Sequence, residues 1–194
     1  FRSTFSTAFR TTLYLTIPAA VGLGVLGAPL IALLFQRGEF DAQSTAATAY
    51  ALQFYAIALF AHSGLEIVTR AFYALHDTLT PVAIGIGAMA LNIVLSMALL
   101  APLAQGGLAL ANSIATILEI LLLLVLLRRR LGDIDARRIA LSTARIVVAS
   151  LVMGLLIAWL ANYLAAFGAI VVAVVCTFAG AIVYFGATIL LRSD

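Results

Sequence analysis

The sequence predicts an all-α fold, a polytopic membrane bundle of six transmembrane helices, and three observations predict it. Of 194 residues, 64% are hydrophobic and 10% are charged, whereas soluble domains average about 45–50% apolar and about 25% charged. Six apolar stretches each reach the length of about 20 residues that crosses a hydrocarbon core about 30 Å thick. All eleven basic residues are arginines, and most of them sit at the ends of these stretches. That placement is a topology signal rather than a nucleic-acid footprint, so no nucleic-acid partner is expected.

The segments follow in order. Helix A is expected from about Thr11 to Leu34, helix B from Ser44 to Leu75 and helix C from Thr80 to Leu100. Helix D is expected from Gly106 to Leu127, helix E from Ile139 to Leu160 and helix F from Phe167 to Leu191. An even number of spans places both ends on one side. The connection Arg128 to Arg138 carries five of the eleven arginines, and short cytoplasmic loops collect basic residues, so it is placed inside. Arg2, Arg10, Arg70, His76, Arg145 and Arg192 then fall inside as well, and Arg37 alone falls outside. The five loop arginines read as topogenic charge, with anionic lipid headgroups as the alternative.

The chain opens Phe1-Arg2-Ser3, and its first apolar segment is too long for a signal-peptide core,. It therefore reads as a fragment of a longer protein. The lone Cys176 permits no internal disulfide, no Cys/His cluster has metal-ligand spacing, and no cofactor is expected,. The coupling ion stays open.

Pro18 removes a backbone hydrogen bond from helix A, and Gly22, Gly24 and Gly27 follow it. Together they suggest either a hinge or close helix packing, as do Gly85 and Gly87 in helix C. Helices E and F carry no charge between Arg145 and Arg192, as expected of a lipid-facing pair.

A charge at mid-span costs about 2.5–3.5 kcal/mol on insertion scales. Intramembrane polar groups therefore need a reason. Asn112, Thr116 and Glu119 recur at helical spacing in helix D and should face the bundle, either tying two helices together or serving a substrate or ion,. In helix B, His62, Glu66, Arg70 and Tyr73 share a face, and Glu66 precedes Arg70 by four, the favourable order for an ion pair,. That pair is structural or cavity-lining; His62 on its own reads as a packing residue. His62-Ser63 is no catalytic dyad, because adjacent residues on a helix point about 100° apart. A transporter, not an enzyme, is expected.

The run Arg70-Ala71-Phe72-Tyr73-Ala74-Leu75-His76-Asp77-Thr78-Leu79-Thr80-Pro81-Val82 closely resembles a signature of the MurJ/MviN family of lipid II flippases. The loop Leu33 to Phe40 is similar to that family's short external loop between the matching spans. As physics, the signature is punctuation: Asp77 or Thr78 can cap helix C, Pro81 suits its first turn, and Phe72 and Tyr73 suit the interface. The resemblance implies a member of the multidrug/oligosaccharidyl-lipid/polysaccharide exporter superfamily. Residues 1–130 would be four helices of the flippase's C-terminal lobe, and 131–194 an inside loop and two extra helices supplying a groove for a lipid tail. It implies, too, a lipid-linked muropeptide substrate, membrane lipids and the protein's own N-terminal lobe as partners, and a bacterial inner membrane location. An exporter of the same superfamily, or a structural membrane subunit, is the alternative.

Overall fold

The computed structural model describes residues 2–132 and 136–190. It contains six long helices: α1 (Arg2–Phe35), α2 (Ala42–Ala74), α3 (Leu79–Leu103), α4 (Gln105–Leu131), α5 (Ala136–Tyr163) and α6 (Ala169–Leu190). Each is long and apolar enough to cross a membrane. The six expected spans are all present, most of them longer than expected. The largest extension is in α1, which begins at Arg2 rather than near Thr11, because the polar Arg2-Ser3-Thr4 turn continues the helix that Phe5 and Phe9 bury. The expected end of helix F at Leu191, Arg192, and the Asp133-Ile134-Asp135 part of the arginine-rich connection lie outside the described residues.

Local chemistry sets the boundaries. Asp41 accepts a hydrogen bond from the Ser44 N–H at 2.8 Å and so caps α2,. At the other end of α2, the Asp77 N–H bonds the Phe72 carbonyl and the His76 N–H bonds the Tyr73 carbonyl, with His76 left-handed at φ +60°. This is a Schellman ending with histidine where glycine is usual. A single residue, Ala104, joins α3 to α4, and Gly107 lies so close to the Leu99 carbonyl that any side chain there would strike backbone.

The helices pack in the spatial order α3, α4, α2, α1, with α5 and α6 on the far side of α1. Helix α1 therefore belongs to two cores. In the first, Phe9 and Leu13 meet Val68 and Phe72 of α2 and Leu123 of α4. In the second, Leu26 meets Met153 and Ile157 of α5 and Cys176 of α6. Helix α3 packs along α4 alone, barely touching α2, and Pro81 is its one buried residue. Large apolar side chains such as Met97, Leu155, Ile182 and Ile189 point outward, as lipid-facing surfaces do,. Exposed Trp159, Tyr163 and Phe167 mark the end of the bundle opposite the arginine-rich connection, where an interfacial aromatic belt belongs,.

Candidate functional site

Helices α2 and α4 run parallel, and polar side chains join them. His62 Nε2 lies 3.2 Å from Asn112 Nδ2 and 3.5 Å from Thr116 Oγ1. The His62 nitrogen accepts from the Asn112 amide, so the histidine is a link between helices rather than a residue packed among apolar neighbours. About two turns earlier on α2, the Phe54 carbonyl accepts from the buried Ser113 hydroxyl at 2.6 Å. Sequence reasoning did not single out Ser113, whose face is set by packing.

Gly64 abuts Ile120, and Phe72 lies beneath Arg130. With His62 opposite Thr116, this register puts Glu66 level with the turn of α4 that carries Glu119. Glu119 itself is half-buried against α3: a side chain at Gly85 would begin 3.3 Å from its Oε1. Glycine there makes the room that the carboxylate occupies. Glu66 and Arg70 form the expected ion pair. Their side chains remain 64% and 71% exposed, on the open face of α2 together with His62 and Tyr73. Because α2 and α3 are splayed across α4, that face has no cover among the described residues. The sequence-predicted polar residues thus lie along one side of α2 and α4.

The signature turn is tied to the end of α4. Asp77 accepts from the Thr80 N–H at 3.0 Å and from the Thr80 hydroxyl at 2.6 Å. Asp77 is therefore the cap of α3, and Thr78 makes no capping bond. Arg130 reaches across to Asp77 at 2.5 Å and to Thr80 Oγ1 at 3.4 Å, with its guanidinium 5.9 Å from the Phe72 ring centroid. Hydrogen bonds from Thr80, and after them the Arg130 charge, hold the Asp77 carboxyl below its ordinary range. Arg130 is thus not merely topogenic charge. Phe72 is fully buried beneath it, not interfacial as its aromatic character suggested, whereas Tyr73 is 48% exposed. The core contacts of α1 and α4 take Phe72 inward.

Beside Pro18 and Gly22 of α1, Met153 and Ile157 of α5, and Gly180 and Tyr184 of α6 lies an apolar groove of about 310 Å³. At Gly22, Gly24 and Gly87 no atom of another element lies within 4 Å of where a side chain would begin. Of the five glycines for which close packing is one of two readings, Gly27, against Leu52, and Gly85, against Glu119, make such an approach. Gly22 and Gly24 leave space, and they line cavities on opposite sides of α1.

The family model described as "Lipid II flippase MurJ" matches residues 1–178. The chain belongs to the MurJ family. It is 33% identical over 158 residues to a probable lipid II flippase MurJ of Haemophilus influenzae, covering 79% of this chain and 30% of that protein. To a probable lipid II flippase MurJ of Rhizobium tropici it is 36% identical over 150 residues, covering 77% of this chain and 28% of the relative. A solved structure of "Lipid II flippase MurJ, inward closed conformation" superposes with a TM-score of 0.83 at 28% identity, over 99% of this chain and 39% of that one. The chain thus spans about a third of the length of MurJ relatives. A multi-pass membrane protein with the helix plan of a MurJ flippase is what the sequence resemblance implied, and the fold and family agree with it.

Proposed function

We propose that this chain works as part of a flippase that moves a polyprenyl-diphosphate-linked muropeptide across the bacterial inner membrane by alternating access. The observation that carries the proposal is the separation of two surfaces by α1. On one side, α2 and α4 offer the His62, Asn112 and Thr116 network with Glu66, Arg70 and Glu119. On the other, α1, α5 and α6 enclose the apolar groove. A lipid with a diphosphate head and a polyprenyl tail requires both chemistries. The Arg70 donors not used by Glu66 suit an anionic headgroup, and the groove suits the tail. On this reading residues 1–130 are cavity wall and 131–194 the tail-binding addition, and the remaining helices of a MurJ protein close the open face of α2. Both ends of the chain and the signature turn lie in the cytoplasm, by the arginine distribution.

The test is single replacement, Glu66→Gln and Arg70→Ala, in the complete flippase, followed by complementation of a flippase-depleted strain. Lost growth at normal expression supports a role in the cavity, and full growth removes these residues from it. Orientation is tested by single cysteines at Arg37 and Arg129 with a membrane-impermeant thiol reagent. Labelling of intact cells at Arg37 alone is the expected result.

A further inference from the structure

Proline 18 stands in the middle of α1 and has no N–H to give to the carbonyl of residue 14, four positions earlier. In hydrocarbon, a carbonyl freed in this way needs another donor. The structure provides one from a different helix. The Tyr184 hydroxyl of α6 donates to the Tyr14 carbonyl at 2.6 Å. Tyr184 is 3% exposed, and its ring lies 5.3 Å from that of Tyr14, centroid to centroid. The Tyr14 side chain answers in the other direction: its hydroxyl is 3.0 Å from Thr188 Oγ1, and Thr188 in turn donates to the Phe185 carbonyl. Residue 14 is therefore bonded to α6 through both its backbone and its side chain, one turn before the proline.

We propose that Tyr184 is the positioning residue of the Pro18 hinge, its hydroxyl standing in for the amide that proline lacks and so holding α1 in one conformation from α6. The location gives this bond leverage. Helix α1 is shared by both cores, so its conformation at Pro18 sets how α5 and α6 sit relative to α2 and α4. Pro18 and Tyr184 also both line the apolar groove. A movement of α6 that withdraws the hydroxyl leaves the Tyr14 carbonyl without its donor, and α1 is then free to change conformation at that point.

The idea makes the cost of losing the hydroxyl depend on the proline. Spin labels at the exposed Thr7 and Ala28, on either side of Pro18 in the complete flippase with Cys176 replaced, would be about 31 Å apart at 1.5 Å per residue,. Pulsed electron resonance then reads the distance distribution. Tyr184→Phe should broaden it, and Tyr184→Phe combined with Pro18→Ala should be no broader than Pro18→Ala alone, because alanine restores the backbone donor. Thr188→Val, which removes the side-chain bond and leaves the carbonyl bond intact, should have the same effect with proline or alanine at position 18. Equal broadening by Tyr184→Phe in both backgrounds would show a packing role only. That result, no broadening in either background, or a proline-dependent effect of Thr188→Val would overturn the proposal.

Discussion

Arg130, on the last turn of α4, bonds Asp77, the residue that caps α3 from the turn after α2, so one ion pair holds the ends of three helices together. The Asp77 side chain is only 13% exposed, whereas that of Arg130 is 52% exposed. Because the capping bonds and the ion pair converge on one carboxylate, the two residues should act as a unit. Asp77→Asn and Arg130→Gln are each expected to lower the melting temperature of the purified protein by about 2–4 °C, in the range usual for modest single-site losses. The double variant should fall short of the sum. Strict additivity would show that the pair carries no coupling.

The same carboxylate gives a pH dependence with a definite sign. Its folded pKa lies below the ordinary value because Thr80 and then Arg130 favour the charged form. The stabilisation is therefore present above the unfolded pKa of about 3.9 and is lost as pH falls through the lower folded value. The melting temperature of the unmutated protein should exceed that of Asp77→Asn by a constant margin from pH 8 to about 5, with the gap closing below about pH 4. A gap that widens with acidification would contradict the assignment.

His76 terminates α2 in the left-handed region at φ +60°, a conformation that suits glycine and costs other residues about 1–2 kcal/mol,. His76→Gly should raise the melting temperature by about 2–4 °C for each 1 kcal/mol recovered. No gain would mean that the imidazole has a compensating role at the turn.

The sequence made this turn recognisable without making its partner visible. Composition and span length disclose six helices because bilayer thickness fixes how many apolar residues a span needs. The spacing of His62, Glu66 and Arg70, and of Asn112, Thr116 and Glu119, discloses two faces because helical periodicity is local. Which neighbour each face meets is not local. Arg130 looks like its neighbours Arg128 and Arg129 until Asp77 comes within reach across about fifty residues of chain. Tyr184 looks like any aromatic residue in an apolar run, and the only clue to its hydroxyl's partner is the missing N–H of Pro18. The glycines of α1 left a hinge and close packing both open for the same reason: a glycine that admits a neighbouring helix and a glycine that leaves a cavity are identical in sequence.

Gly64 is a glycine that does admit a neighbour. A side chain there would begin 2.6 Å from Ile120 Cδ1 and 3.1 Å from a Phe9 ring carbon. Gly64→Ala should destabilise the protein by about 1–3 kcal/mol, the usual cost of overpacking. Ile120→Val removes the Cδ1 atom at its own cost of about 0.5–1.5 kcal/mol. Adding it to Gly64→Ala should cost less than its effect alone, because the nearer clash is gone, and a thermal-melt cycle with Phe9→Leu reads the second clash separately. Simple additivity at Ile120 would mean that the helices have moved apart instead.

Gly22 is the opposite case and tests the groove. Nothing lies within 4 Å of where its side chain would begin, and the residue lines the cavity of about 310 Å³ beside Pro18 and Tyr184. Gly22→Ala should therefore fold normally, and its better helix propensity, worth about 1 kcal/mol in water, gives no reason for lost stability. Gly22→Trp places a large side chain in the space itself. If that space holds a polyprenyl chain during transport, the tryptophan variant should reach the membrane at normal levels and melt within a few degrees of the parent, yet fail to complement a flippase-depleted strain, while the alanine variant complements fully. Full complementation by a folded, normally expressed Gly22→Trp protein would show that the groove is not on the path of the lipid tail.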